Sequence, residues 1–175
     1  MQIELTGILS NEGKKEEYDV KLTMDCFQSR VGKFPIVDAS EIHFELENTG
    51  KRILEIRADG DVSLEIPCAR CLEPVKVPFS IHAEQKVDLK QTEEERSQDE
   101  EDSSYIVNQQ LDVDQFVYNE ILINWPLRVL CKDDCKGICS HCGCNLNVTT
   151  CDCDTTELDP RMAAINDIFK KFKEV

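Results

Sequence analysis

Between Cys131 and Cys153 the chain carries seven of its ten cysteines, spaced Cys131-x3-Cys135-x3-Cys139-x2-Cys142, then Cys144, then Cys151-x-Cys153. Nothing else in the sequence restricts the fold as strongly. The large apolar residues of this stretch are chiefly Ile138, Leu146 and Val148, too few to order it by burial alone. The chain opens Met-Gln-Ile-Glu-Leu-Thr-Gly, with neither the basic nor the apolar region of an export signal, so a cytoplasmic location is expected. In that reducing compartment, clustered cysteines are more often metal ligands than disulfides.

Cys139-Ser140-His141-Cys142-Gly143 has the spacing of a metal knuckle. Two intervening residues let both thiolates turn onto one ion, and the glycine tolerates the tight backbone beyond. Zinc takes four such ligands tetrahedrally, at about 2.3 Å for sulfur. The first set of ligands expected is Cys139 and Cys142 with Cys151 and Cys153; Cys135 and Cys131 come next, since a Cys-x-Cys pair can contribute a single sulfur. Cys144 is left as a spare thiol and His141 as a solvent-facing loop residue. Structural zinc is preferred over an iron–sulfur cluster or free redox thiols. A catalytic zinc would want a neighbouring general base, and no Glu or His pair here supplies one.

The first half has the two-residue rhythm of strands. Tyr18, Val20, Leu22, Met24 and Cys26 alternate with polar residues, as do Ile42, Phe44 and Leu46. Asn48-Thr49-Gly50 and Asp59-Gly60 read as turns, and Leu54, Ile56 and Ala58 as the strand between them. Val62 to Cys68 and Val75 to Leu89 resume the alternation. Pro67, Pro74 and Pro78 belong at strand ends or on an edge, because they cannot donate to a ladder. The fold class expected is α+β: a curled antiparallel β-sheet with an acidic loop, two helices and a small cysteine-rich metal-binding module. Its domains are residues 1–125, β-rich and ending in a helix, and residues 126–175, the zinc module with a C-terminal helix.

Residues 91–104 (QTEEERSQDEEDSS) are the acidic loop, expected to be solvated and disordered. Asp112 can cap a helix with Gln115 three residues on. Val113, Phe116, Val117 and Ile121 form its apolar stripe, and it should end before Trp125-Pro126. A second helix is expected from Asp159-Pro160, with Met162, Ile165, Ile168, Phe169 and Phe172 on one face.

The net charge is −15, but residues 1–124 hold 13 basic and 27 acidic residues, while the remainder holds seven and eight. Nucleic-acid binding through summed charge is therefore excluded, and any direct RNA contact belongs at the C-terminal end. No apolar run is long enough to span a membrane. No phosphate-cradling glycine loop, Ser–His–Asp arrangement or small-molecule site is evident. His43 and His82 are most simply sheet residues.

Cys68-Ala69-Arg70-Cys71-Leu72-Glu73-Pro74 is a second Cys-x-x-Cys, in a hairpin between two strands. It is either a knuckle sharing metal with another cluster or another chain, or a pair of half-buried structural thiols. No helix follows to lower a thiol pKa in the manner of a redox motif. Arg70 reads as an exposed cation. This hairpin resembles the Cys-x-Arg-Cys-Leu signature of the YceD family of large ribosomal RNA subunit accumulation proteins. The segment from Leu130 through Cys153, followed by Asp159-Pro160-Arg161 and an apolar helix, resembles the cysteine-rich ending of its Gram-positive-type bacterial members.

The resemblance implies a non-enzymatic role in synthesis, processing or stability of large-subunit ribosomal RNA, and an α+β fold. The hairpin pair also occurs in family members without the C-terminal cluster, which favours a separate job for Cys68 and Cys71. The expected partner is ribosomal RNA or a pre-ribosomal particle, reached directly or through a basic ribosomal protein. Arg70, Lys136 and Arg161 are the candidate contacts. Two other readings compete: a thiol redox or metal-handling protein using Cys68 and Cys71, and a zinc-bearing protein-interaction adaptor.

Overall fold

The computed structural model of the chain describes residues 1–89 and 105–153. Alternating apolar and polar residues set most of its elements, since successive side chains on a strand point to opposite faces. In chain order these are β1 (Gln2–Glu4), α1 (Thr6–Leu9), β2 (Lys15–Val20), β3 (Cys26–Ser29), β4 (Gly32–Ala39), β5 (Ile42–Gly50), β6 (Ile53–Pro67), β7 (Pro74–Asp88), β8 (Ile106–Val107), β9 (Gln110–Asp112) and α2 (Val113–Ile123). The fold is mostly antiparallel sheet. Strands β2, β5, β6, β4 and β3 lie in that order, β7 pairs with β6, and β1, β9 and β8 make a small separate sheet.

The chain divides into two compact units. One is Met1–Pro67 with Pro74–Val129; the other, within the described residues, is Cys68–Glu73 with the chain from Leu130 onward. The first unit has an apolar core. Ile42, Phe44 and Leu46 of β5, Leu54, Ile56 and Ala58 of β6, and Ile81 of β7 are fully buried, as are Val113, Val117 and Ile121 of α2. Phe116 meets Phe44 edge-on, with ring centroids 5.4 Å apart. Trp125 stacks on Phe27 at 5.1 Å and lies 5.9 Å from Phe79, so the aromatic rings gather where their area burial is largest.

Helix α2 starts as its cap residue requires: the Asp112 carboxylate accepts from the Gln115 N–H at 3.1 Å. The reciprocal half of the box is not made. Gln115 turns its amide to Asn119, and the Asp112 N–H donates to the Tyr105 carbonyl instead. The helix stops at Ile123, before Trp125-Pro126.

Three strand readings need correction. Tyr18 to Cys26 is not one strand. β2 ends at Val20, where its partner β5 begins, and β3 pairs with β4 at the opposite edge of the sheet. Leu22 and Met24 keep the alternation because the crossing segment still packs against the core. The turn expected at Asn48-Thr49-Gly50 falls at Lys51-Arg52, both with positive φ, as a two-residue hairpin turn demands. Asn48 is buried instead, and its amide donates to the carbonyls of Ile8 and Asn11.

Asp59-Gly60 is not a turn either, because β6 runs straight through it. Here β6 passes from pairing with β5 (His43↔Asp59) to pairing with β4 (Ala39↔Val62). A Cβ on Gly60 would stand 2.4 Å from Ile42 Cδ1, so the glycine answers to close packing. Pro78 sits on β7, which has β6 as its one strand partner among the described residues. The acidic segment 91–104 and the helix expected from Asp159-Pro160 lie outside the described residues. No helix among the described residues is long and apolar enough to cross a membrane.

Candidate metal centre

Among its described residues the second unit has no apolar core. Among its described residues the buried ones are Cys68, Cys71, Cys135, Gly137 and Cys139. Ile138 and Val148 are 41% and 78% exposed, and Leu146 is half-buried. What lies inside is sulfur.

The sulfurs form two groups of four. Cys139, Cys142, Cys151 and Cys153 bring their Sγ atoms within 4.8 Å of one another, and so do Cys68, Cys71, Cys131 and Cys135. All are free thiols. The Sγ–Sγ separations of 3.5 Å (Cys71–Cys131) and 3.8 Å (Cys68–Cys135) far exceed a disulfide bond of about 2.05 Å. They match the edge of a tetrahedron whose corners lie about 2.3 Å from a central ion, which is about 3.8 Å. Each group can hold a metal ion.

The backbone explains why these residues converge. In each Cys-x-x-Cys the first cysteine's N–H donates to the carbonyl five residues on (Cys68 to Glu73, 2.8 Å; Cys139 to Cys144, 2.9 Å), and its carbonyl accepts from the N–H four residues on (Leu72, 3.0 Å; Gly143, 2.9 Å). Both turns need a left-handed residue at that fourth position. Gly143 has φ +73° and Leu72 φ +64°. Glycine adopts this freely, whereas a leucine does so at a cost. The two knuckles are therefore the same local structure, one written with glycine and one without.

Amide donors make these sulfurs good anions. Burial pushes the Cys68 thiol up, but the N–H groups of Arg70, Cys71 and Cys131 outweigh it and bring the group down to about 6. At Cys139 the N–H groups of Cys142 and His141 dominate, again lowering it to about 6. Neighbouring thiols then resist ionising. Cys131 is pushed up to about 12 by burial and by the thiols of Cys71 and Cys135, and Cys153 up to about 12, first by the thiol of Cys142. Two like charges 4 Å apart repel by about 4 kcal/mol at an effective dielectric near 20. A dication among four thiolates reverses that repulsion, so the donor set fits such an ion.

Hydrogen bonds fasten the hairpin that carries Cys139 and Cys142. Leu146 N–H donates to the Gly137 carbonyl at 2.9 Å, and Ile138 pairs with Asn145. Asn147 Nδ2 donates to Cys135 Sγ at 3.3 Å and to Asn145 Oδ1 at 2.9 Å. Asn145 Nδ2 in turn donates to Glu73 Oε1 at 3.1 Å. Gly137, with φ +81°, lies so close to Arg70 that a Cβ would stand 3.1 Å from the Arg70 carbonyl oxygen.

The structure thus brings together Cys139, Cys142, Cys151 and Cys153. Cys131 and Cys135 do not join them; they meet Cys68 and Cys71, so the hairpin pair does not stand apart. Cys144 is half-buried, and the thiol of Cys142, burial and the thiol of Cys151 push its own thiol up to about 11; His141 is exposed. Arg70 is exposed, yet its Nη1 donates to the Cys135 carbonyl at 2.6 Å, so its guanidinium already has work within the unit. Lys136 is exposed; Arg161 lies outside the described residues. Sequence reasoning missed Asn145 and Asn147. The available signal was the two amides placed just after a knuckle.

A family model described as large ribosomal RNA subunit accumulation protein YceD matches residues 54–169. An uncharacterized protein of Mycobacterium tuberculosis is 25% identical over 76 residues, 43% of this chain and 37% of that protein. The uncharacterized protein YlbN of Bacillus subtilis is 28% identical over 111 residues, 62% of each chain. The large ribosomal RNA subunit accumulation protein YCED homolog 1, chloroplastic, of Arabidopsis thaliana is 25% identical over 65 residues, 37% of this chain and 20% of that protein. In each case the match spans less than two thirds of the relative's length. No solved structure matches the chain.

Proposed function

The chain belongs to the YceD family, and from that premise we propose that it is a non-enzymatic factor of the bacterial cytoplasm supporting synthesis, processing or stability of large-subunit ribosomal RNA. Its second unit is built on two structural zinc ions, one per cysteine quartet. Zinc suits an all-thiolate tetrahedron with no open position, and such an ion contributes on the order of 10 kcal/mol of folding free energy. The observation that carries this reading is the interior of the second unit, where the buried ones among the described residues are four cysteines and a glycine. The ions shape a surface; they do not perform a reaction. That surface meets ribosomal RNA or a pre-ribosomal particle, directly or through a basic ribosomal protein.

Two measurements test this. Protein purified without added metal should contain two zinc ions per chain. A deletion strain should lose large-subunit ribosomal RNA and regain it with the wild-type gene, but not with Cys139→Ser/Cys142→Ser. Normal large-subunit RNA in the deletion strain would sink the ribosomal assignment. The redox alternative predicts instead that Cys68→Ser/Cys71→Ser abolishes a thiol-dependent activity while the zinc content is unchanged. Shared coordination predicts loss of one ion.

A further inference from the structure

We propose that Asn147 couples the two cysteine quartets, so that an ion held by Cys139, Cys142, Cys151 and Cys153 raises the affinity of Cys68, Cys71, Cys131 and Cys135 for theirs. This rests on the two-ion reading above.

The 137–147 segment touches both quartets. Its turn is the knuckle of Cys139 and Cys142, closed by the Cys139-to-Cys144 and Leu146-to-Gly137 hydrogen bonds. That turn can keep its shape only when its two sulfurs are held, since Ile138 and Val148 are largely exposed and give it no apolar anchor. The returning arm of the same hairpin carries Asn145 and Asn147 to the other quartet. Asn147 Nδ2 donates to Cys135 Sγ at 3.3 Å, and its Oδ1 accepts from the Lys136 N–H at 2.9 Å. Asn145 Oδ1 receives both the backbone N–H of Asn147 (3.0 Å) and its side-chain amide (2.9 Å). Asn145 Nδ2 reaches Glu73, whose carbonyl accepts from the Cys68 N–H.

One ion therefore orders a hairpin, and the arm of that hairpin supplies an N–H to a sulfur bound to the other ion. An amide N–H on a thiolate stabilises the anionic form and fixes the direction of its lone pairs. Loss of such an outer contact typically lowers metal affinity about 10–100-fold. The coupling is reciprocal, because the free energy linking two sites does not depend on which is filled first. Asn147 is a positioning residue, acting on the ion only through Cys135.

The experiment uses the full chain, stripped of metal under reducing conditions and titrated with cobalt(II), whose thiolate charge-transfer band reports each tetrathiolate site. Wild type should take up two ions with positive cooperativity. Asn147→Ala should weaken uptake of the second ion about 10–100-fold, shift the charge-transfer band of the Cys68 quartet alone, and remove the cooperativity. Cys142→Ser should weaken the Cys68 quartet by a similar factor. Asn147→Ala added to Cys142→Ser should then cost little more, because the route is already broken.

Wild-type cooperativity in Asn147→Ala would overturn the proposal, as would fully additive losses in the double variant or a shift of the charge-transfer bands of both sites. Uptake of fewer than two ions by wild type would overturn the two-ion reading itself, an outcome separable from the others by count.

Discussion

Phe44 and Cys139 are both almost wholly shielded from water, but by different means. Phe44 lies among Phe116, Leu46 and Ile56 in a packed apolar layer, where burial of one large side chain is worth about 1.5–3 kcal/mol and many contribute. Cys139 lies among three other thiols, with exposed aliphatics around it. The first unit distributes its stability over two dozen side chains, so the loss of any one is survivable. The second, on the two-ion reading, concentrates it at two points. One chain thus holds a region that fails gradually and a region that fails all at once.

The sharpest way to break this comparison is to remove the metal. A strong chelator under reducing conditions should cost the second unit on the order of 10 kcal/mol. Amide-exchange protection at Cys139, Gly143 and Leu146 should vanish while β5 and β6 keep theirs. Equal loss in both would refute the division. Phe44→Ala is the converse. It should destabilise the first unit by about 3–5 kcal/mol in a denaturant melt, with two zinc ions still counted per chain below the transition.

A smaller effect compares the two knuckles. Leu72 is 63% exposed and held at positive φ, so Leu72→Gly should relieve strain of about 1–2 kcal/mol. Zinc should then leave the Cys68 quartet more slowly in a chelator assay; faster release would mean that the leucine makes a contact worth more than its strain.

The smallest concerns Glu120, buried on α2 and hydrogen-bonded to Gln85 at 2.7 Å. Burial raises its pKa above 4.5 despite that bond. The unfolded chain therefore ionises this group first. Its contribution to stability is full below pH 4.5 and falls as pH rises through the raised value. Glu120→Gln should raise the melting temperature near pH 7, and the gain should shrink toward zero below pH 4.5. A gain independent of pH would point to packing instead of charge.

How much of this was legible in the residues differs between the units. In the first, Ile42, Phe44 and Leu46 announced a strand and Asp112 a helix start, because alternation and capping are local. The turns at Asn48 and Gly60 were misread for a tertiary reason: a buried amide and a change of strand partner use the same residue types as a loop. In the second unit, Cys139 and Cys142 were readable from spacing. The partners of Cys131 and Cys135 were not. Proximity along the chain pointed to Cys139, while the nearest sulfurs in space belong to residues 60 and 67 positions upstream. Nothing local encodes that choice, which depends on the path of the intervening chain.

That long separation has a consequence for synthesis. Translation proceeds at about 5–20 residues per second, so some 3–12 seconds pass between the emergence of Cys71 and that of Cys131. Throughout that interval the nascent hairpin presents two unsatisfied sulfurs and half a coordination sphere. An excised tail starting at Leu130 would lack those two sulfurs for good. On the two-ion reading, an ion at the Cys68 quartet can be sealed in only after Cys135 has left the exit tunnel, which makes its capture a late checkpoint on a protein whose sheet was largely written before.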